Sequence, residues 1–155
     1  MSTVKIKNSR QKIADILLSI GCVNINFKNK FTLTSGKKSP VYVDCRKLVS
    51  FPKEREIIIN EMSKQIKSKY KNQIVVAGGE TAGIPYSSYI SQKLKLPMVY
   101  IRKKPKGFGK GKIIEGEFKK KSKSVLIEDM ATDGGSKIHF INSMRKAELS
   151  VRDIF

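Results

Sequence analysis

The sequence lacks several residue types on which common binding sites depend. It has no tryptophan, one histidine (His139) and only two cysteines, Cys22 and Cys45, which lie in separate segments without C-x-x-C spacing. A zinc site is therefore not expected, and both cysteines are predicted to be reduced, partly buried thiols. No apolar run approaches the ~20 residues that a membrane span requires. The Lys-rich N-terminus also lacks the apolar stretch of a secretory signal, so a cytoplasmic protein without membrane segments is predicted.

Acidic residues are scarce. The chain carries 13 Asp and Glu against 32 Lys and Arg, a formal net charge of +19, which favours polyanionic partners such as nucleic acid, an anionic membrane or phosphorylated small molecules. Ten of the basic residues lie between Arg102 and Lys123. This segment is either a solvated surface loop or a mobile cationic lid over a phosphate-bearing substrate. Nucleic acid is not an expected partner, because Phe27, Phe31 and Phe51 lie in apolar patterns rather than as exposed stacking platforms.

The length of 155 residues, with 39% hydrophobic and 29% charged residues, predicts one compact domain. Helical spacing of apolar residues indicates a core-facing helix over 9–20, capped by Ser9 and stopped by Gly21. Alternation over 22–44, broken by Asn, Gly and Pro, predicts short antiparallel strands. A second helix is expected from Pro52 to the residue before Lys71.

From residue 74 onward the pattern changes to apolar strands that alternate with helices. Strands are predicted over 74–77, 97–101, 125–127 and 150–155, a turn at 78–79, a loop of small residues at 132–136, and helices over 81–94 and from 137 to about 147. Such a pattern is typical of a parallel sheet covered by helices on both faces. Ligands bind beyond the carboxyl ends of such strands, which directs attention to the loops after Ala77, Ile101 and Ile127. No dinucleotide or P-loop NTPase motif is present.

The segment from Val125 to Lys137 contains the most informative pattern of candidate ligand-binding residues. A buried strand ends in two carboxylates, Glu128 and Asp129, and a loop of small residues then leads into a helix. Backbone N–H groups, hydroxyls and the helix N-terminus can converge there on a phosphate. The carboxylates can accept hydrogen bonds from sugar hydroxyls or help to hold Mg²⁺. The alternative is a simple helix N-cap flanked by solvated acids.

This segment resembles the 5-phosphoribosyl pyrophosphate (PRPP) signature of type I phosphoribosyltransferases. Three further segments, 31–44, 78–85 and 102–109, resemble consecutive landmarks of the orotate phosphoribosyltransferase family. The resemblance implies an α/β fold with a parallel sheet flanked by helices and a small N-terminal hood of short strands. It also implies a single domain over 1–155, with the hood at about 22–50 and the PRPP-binding core at 73–155.

The family transfers ribose 5-phosphate from PRPP to a ring nitrogen of orotate and releases pyrophosphate, with Mg²⁺ held mainly by the substrate. By resemblance, the catalytic residues are Lys106, Asp129 and Glu128. PRPP binding is assigned to Arg102, Lys103, Glu80, Thr81, Ala82, Gly83, Met130, Ala131, Thr132, Asp133, Gly134, Gly135 and Ser136. Orotate binding is assigned to Thr34, Ser35, Gly36 and Thr132. A homodimer with shared active sites is also implied.

The chain departs from the family pattern at several points. Some relatives have lysine at the positions of Thr34 and Ala82 and histidine at the position of Phe108. Family members also continue beyond the position of Phe155, so the sheet is expected to lack its last strand or strands. Two alternative functions stay open: a phosphoribosyltransferase for another base, and an RNA-binding regulator with the same fold.

Overall fold

The computed structural model describes residues 2–33, 35–71, 73–105, 112–131 and 134–155. The chain divides into two compact units, Met1–Ile58 and Ile59–Phe155. Thr34, the 106–111 part of the basic segment, and Thr132 and Asp133 lie outside the described residues. In the described part of the chain, no helix is both long and apolar enough to cross a membrane.

The first unit contains a helix and two small antiparallel pairs of strands. Its elements are α1 (Ser2–Ser19), β1 (Val23–Ile25), β2 (Phe31–Thr32), β3 (Lys38–Ser39), β4 (Val41–Val43) and a 3-10 helix (Cys45–Ser50). Strand β1 pairs with β4 and β2 pairs with β3, both antiparallel, which confirms the prediction from alternation. The prediction of Ser9 as a helix cap is wrong. Helix α1 runs through that position, because serine is only modestly unfavourable inside a helix.

Exposed apolar side chains in this unit differ from the expected pattern. Phe27 is 74% exposed and Ile25 is 60% exposed. The prediction that Phe27 belongs to a buried apolar pattern is therefore wrong. Phe27 follows the end of β1, where no strand pairs with it, so alternation no longer reports burial. Phe31 and Phe51 are half-buried.

The second unit is built on a five-stranded sheet. Helix α2 (Pro52–Tyr70) begins in the first unit, and β5 (Val75–Gly79), α3 (Gly83–Leu94), β6 (Met98–Ile101), β7 (Ile114–Glu115), β8 (Lys123–Ile127), α4 (Gly135–Lys146) and β9 (Ser150–Ile154) follow. The strand order is β7-β6-β5-β8-β9, and all neighbouring pairs are parallel except β6 with β7. The expected parallel sheet is therefore present, with one antiparallel strand at its edge.

Gly78 and Gly79 extend β5 and do not form the predicted turn. Helix α3 packs so closely on this strand that a Cβ atom built on Gly78 would lie 2.3 Å from Ser87 Oγ and 2.8 Å from the Gly83 carbonyl oxygen. The two glycines are thus explained by the close approach of helix and strand rather than by a change of chain direction. Helix α3 accordingly begins at Gly83, two residues later than predicted.

One apolar cluster holds the sheet and α4 together. It contains Val75, Ala77, Val99, Ile101, Ile114, Leu126, Phe140, Met144 and Leu149, all buried. Phe140 and Met144 lie four residues apart on α4, so they occupy one face of the helix. Burial of this face against the sheet positions the N-terminus of α4 beside the end of β8.

A polar contact ties the end of α2 to the edge strand β9. The hydroxyl of Tyr70 donates to Asp153 Oδ2, and Lys69 Nζ lies 3.0 Å from the same oxygen. The hydrogen bond from Tyr70, followed by that from Lys69, lowers the pKa of Asp153 below its ordinary value. Burial and the hydrogen bond to Asp153 raise the pKa of Tyr70 to about 12.

We expect Asp153→Asn to lower the free energy of unfolding by about 1 kcal/mol at pH 7, because charged hydrogen bonds to a half-buried carboxylate are lost. The pKa of Asp153 is lower in the folded protein than in the unfolded chain. This stabilisation is therefore present at pH values above the ordinary aspartate pKa, and it is lost as the pH falls through the pKa of the folded protein. Urea denaturation at neutral and acid pH tests this. Glu148→Gln, which breaks an exposed pair with Lys120, is the control and should change stability little. A deficit for Asp153→Asn that persists in acid would contradict the assignment.

Candidate active site

Three loops leave the same edge of the sheet. In the parallel register Gly79 lies opposite Ile101, and Gly78 lies opposite Ile127, so the carboxyl ends of β5, β6 and β8 are adjacent. The segments that follow these strands carry the residues expected to bind PRPP: 80–83 after β5, 102–105 after β6, and 128–131 with 134–136 after β8. The sheet thus brings together three segments that are far apart in the sequence.

The loop after β5 is joined to the loop after β6 through Glu80. The Glu80 N–H donates to the Ile101 carbonyl oxygen at 2.8 Å, and the Lys103 N–H donates to Glu80 Oε2 at 2.6 Å. The Glu80–Thr81 peptide bond is cis. Thr81 is exposed, Ala82 is half-buried, and Gly83 is buried as the first residue of α3. Glu80 therefore engages the backbone of the basic segment at the point where that segment begins.

The side chain of Arg102 lies near an acidic residue on β7. Its Nη1 lies 3.9 Å from Glu115 Oε1, and its backbone N–H donates to the Ile113 carbonyl oxygen at 2.9 Å. Lys103 is exposed. The catalytic prediction for Lys106 falls outside the described residues. Because β7 returns antiparallel to β6, both ends of the segment between them lie at the same edge of the sheet.

The loop after β8 leads into α4. Asp129 is half-buried and its Oδ1 accepts the Met130 N–H at 2.9 Å, while Ala131 is exposed. Gly134 has φ +79°, a left-handed conformation suited to glycine, and Gly135 begins α4. Ser136 therefore lies in the first turn of the helix and not in the predicted loop. The N–H groups of this turn offer an anion-binding terminus.

Glu128 is the buried carboxylate of this edge. Its Oε2 lies 2.7 Å from Lys137 Nζ, and the side chains of Glu128 and Lys137 are 8% and 14% exposed. Burial raises the pKa of Glu128 above its ordinary value, and the Lys137 ammonium opposes that rise. Among the described residues, Glu128 Oε1 has no hydrogen-bond partner. Among these residues, the carboxylate is therefore bonded through Oε2 alone.

Two glycines form the surface on which Glu128 lies. A Cβ atom built on Gly79 would lie 2.1 Å from Glu128 Oε1, and one built on Gly83 would lie 2.7 Å from the same oxygen. The predicted PRPP residue Gly83 thus makes room for the predicted catalytic residue Glu128. The sequence pattern predicted both residues for the site but not their close packing.

The predicted orotate residues lie in the first unit. Ser35 and Gly36 form the turn between β2 and β3, where the Gly36 N–H donates to the Leu33 carbonyl oxygen at 2.8 Å and Gly36 has φ +82°. Ser35 is exposed. The assignments of Thr34 and Thr132 to orotate fall outside the described residues and stay predictions.

Two residues of the site were missed by the sequence analysis, Glu115 and Lys137. Glu115 lies on a two-residue strand inside a charged segment, too short to show a pattern. Lys137 did carry a signal, because a cation in the first turn of a helix is opposed by the helix dipole. A lysine at that position, nine residues after a buried carboxylate, indicates an ion pair.

No protein-family model matches the chain. An orotate phosphoribosyltransferase from Ruegeria sp. (strain TM1040) is 44% identical over 135 residues, which are 86% of this chain and 60% of that protein. Another from Roseobacter denitrificans is 42% identical over 90% of this chain and 63% of that protein. The chain thus spans about three fifths of the length of these curated relatives.

Solved structures with the same fold include two of related name. The UMP synthase of Leishmania donovani superposes with a TM-score of 0.75 at 34% identity, over 92% of this chain and 30% of that chain. The orotate phosphoribosyltransferase of Aeropyrum pernix superposes with a TM-score of 0.76 at 24% identity, over 92% of this chain and 78% of that one. The expected type I phosphoribosyltransferase fold is therefore confirmed.

Proposed function

Because the chain belongs to the orotate phosphoribosyltransferase family, we propose that it transfers ribose 5-phosphate from PRPP to orotate. The bond between the ribose C1 and the pyrophosphate oxygen breaks, and a bond from C1 to N1 of orotate forms. Orotate gives up its N1 proton, and the products are orotidine 5'-monophosphate and pyrophosphate. The main support is the convergence of three PRPP-type loops at the carboxyl ends of β5, β6 and β8.

The loop after β8 is proposed to hold the phosphoribosyl group. The N–H groups at the start of α4, with Thr132 and Ser136, would bind the 5-phosphate, because a helix N-terminus favours an anion. Asp129 and Glu128 would accept hydrogen bonds from the ribose hydroxyls. Met130, Ala131, Asp133, Gly134 and Gly135 would supply the backbone of this phosphate site.

Cationic and amide groups are proposed to bind the pyrophosphate and to stabilise it as it leaves. The backbone of residues 80–83 would contact it, and Arg102, Lys103 and Lys106 would supply positive charge. Negative charge on the leaving oxygens grows in the transition state, so cations placed there accelerate the reaction. Ser35 and Gly36, with Thr34, would recognise the orotate ring.

Mg²⁺ fits this site as an ion held largely by PRPP oxygens. Within the described ranges no group of three or more His, Cys, Asp or Glu side chains could hold a metal. Asp129 and Glu128 are the carboxylates that follow β8, and Glu128 Oε2 already pairs with Lys137. Mg²⁺ commonly takes one or two protein carboxylates together with substrate phosphates and waters, and when bound it neutralises pyrophosphate charge.

The proposal extends to assembly and location. We propose a cytoplasmic homodimer in which the two units of the chain serve one reaction as a single functional domain. Sedimentation velocity of the purified protein tests the dimer, since a mass of twice 17.5 kDa is expected. A monomer at the concentration that supports full activity would contradict it.

The reaction itself is tested by the fall in orotate absorbance when the protein is mixed with PRPP and Mg²⁺. Loss of signal that requires PRPP, with stoichiometric release of pyrophosphate, is expected. A control without PRPP should be flat. A protein shown to be folded by circular dichroism that leaves orotate unchanged would contradict the proposal.

The identity of the acceptor base is the part of the proposal that depends on Thr34. Some relatives have a lysine there, which would pair with the orotate carboxylate. Competition among orotate, uracil and purine bases for PRPP decides the acceptor. We expect orotate to be consumed first, and preferential consumption of another base would overturn that specificity while leaving the transferase activity in place.

A further inference from the structure

The ion pair between Glu128 and Lys137 closes the base of the loop after β8. Glu128 is the first residue beyond β8, and Lys137 is the third residue of α4. Their charged atoms are 2.7 Å apart and the side chains are almost completely buried. The pair therefore joins the two ends of the segment 129–136, which carries the groups proposed to bind the phosphate and the ribose.

Lys137 stands at a position that is unfavourable for a lysine. The first turn of a helix carries partial positive charge, and burial removes the ammonium group from water. The first turn of α4 contains no acidic residue that would offset this charge. Besides Glu128, its Nζ contacts only Ser136 Oγ, at 3.3 Å, among the described residues. The placement of Lys137 is thus explained by Glu128.

Glu128 is enclosed by three elements. Gly79 at the end of β5 and Gly83 at the start of α3 leave room for its Oε1, and Lys137 of α4 holds its Oε2. Asp129, in contrast, has no ion-pair partner in the described part of the chain, and its Oδ1 accepts a hydrogen bond from the Met130 N–H. The two adjacent carboxylates are therefore not equivalent: Glu128 is anchored through Oε2 by Lys137, and Asp129 has no such anchor among the described residues.

We propose, on the basis of the function above, that Lys137 is a positioning residue for the phosphoribosyl site. Its ion pair with Glu128 holds the ends of the segment 129–136 together and leaves Asp129 to contact the ribose. The pair also removes the net negative charge of a buried carboxylate from the edge that must accept a polyanion. Without the ammonium group, that charge would repel the 5-phosphate and the pyrophosphate of PRPP.

The test compares Lys137→Met with Lys120→Met. Lys120 Nζ also lies 2.7 Å from an acidic partner, Glu148, but this pair is exposed. The control pair therefore has the same separation of charged atoms as the Glu128–Lys137 pair but is not buried. Titration calorimetry with PRPP and Mg²⁺ is expected to show a dissociation constant raised at least about tenfold by Lys137→Met, comparable with the loss of affinity when a residue that orients a metal ligand is removed. Lys120→Met should leave it unchanged, and Lys137→Arg should restore much of the affinity.

Steady-state kinetics separate positioning from chemistry. Lys137→Met should raise the KM for PRPP by a similar factor, while kcat at saturating PRPP falls by less than about threefold, since no transition-state contact is removed. A folded Lys137→Met variant with an unchanged PRPP dissociation constant would overturn the proposal. An equal increase of that constant in Lys120→Met would also overturn it.

Introducing Lys137→Met into a protein that already carries Glu128→Gln distinguishes a positioning role of Lys137 from direct contact with PRPP. If Lys137 acts through Glu128, adding Lys137→Met to Glu128→Gln should change the PRPP dissociation constant by less than about twofold. Equal weakening in both backgrounds would mean that Lys137 binds PRPP directly and would overturn the proposal. The double variant carries no lone buried charge, so it keeps the test valid if Lys137→Met alone does not fold. A parent protein that fails to bind PRPP would instead refute the proposed function, and this inference with it.

Discussion

Gly83→Ala is expected to lower the free energy of unfolding by about 3 kcal/mol, because the new methyl group would overlap backbone that has no room to move. The Cβ would lie 2.3 Å from the Ile127 carbonyl oxygen. Ile127 ends β8, which is hydrogen-bonded to β5 on one side and to β9 on the other. Strand β8 therefore cannot shift without disturbing both neighbours, and the better helix propensity of alanine does not offset the overlap.

Gly79→Ala provides a graded comparison. Its Cβ would lie 2.1 Å from Glu128 Oε1 and 2.5 Å from the Phe140 ring, which are side chains rather than backbone. A smaller loss of about 1 to 2 kcal/mol is expected, accompanied by weaker PRPP binding because Glu128 is displaced. Ser88→Ala on the exposed face of α3 is the control. Urea denaturation followed by circular dichroism measures all three variants, and a Gly83→Ala variant as stable as Ser88→Ala would contradict the packing described.

Lys106→Ala is expected to lower kcat by about a hundredfold while changing the PRPP dissociation constant by less than threefold, since a cation aimed at the leaving group acts mainly in the transition state. Lys106 lies outside the described residues, but both flanks of its segment are placed. The Arg102 N–H donates a hydrogen bond to the Ile113 carbonyl oxygen, and β6 pairs with β7. The segment therefore starts and ends at the edge where the loops proposed to bind PRPP converge.

Lys104→Ala is the matched control for Lys106→Ala, because it removes the same charge from the same segment two residues away, at an exposed position. Its kcat should stay within about twofold of the parent value, as expected for an exposed charge without a specific role. Stopped-flow or coupled pyrophosphate assays measure kcat, and calorimetry measures PRPP affinity. Equal losses of kcat in the two variants would indicate a general effect of charge, and unchanged kcat in Lys106→Ala would remove its catalytic role.

Strand and helix order could be predicted from the sequence because burial imposes a period on each element. The all-apolar runs around Val76, Val99 and Leu126 predicted strands buried on both faces, and all three lie inside the sheet. Alternation likewise predicted the antiparallel pairs of the first unit. Strand β7 could not be predicted in this way, since two residues in a charged segment show no period.

The residues of the candidate site could also be predicted only in part from the sequence. Glu128, Asp129 and the glycines beside them could be singled out because their order along the chain is local, and the resemblance to a known family was carried by such local segments. Lys137, Gly79 and Gly83, which surround Glu128, lie on three different elements. No spacing in the sequence predicts this packing, because it depends on how closely α3 and α4 approach the sheet.

The sequence by itself determined the order of the elements, the loops that carry the polar groups and the excess of positive charge, since each of these is a property of neighbouring residues. Only the tertiary structure decided that Gly78 and Gly79 extend a strand, that Phe27 is exposed, and that one of two adjacent carboxylates is anchored by a lysine. The physical reason is that burial and pairing are set by what packs against a residue, and that partner comes from a distant part of the chain.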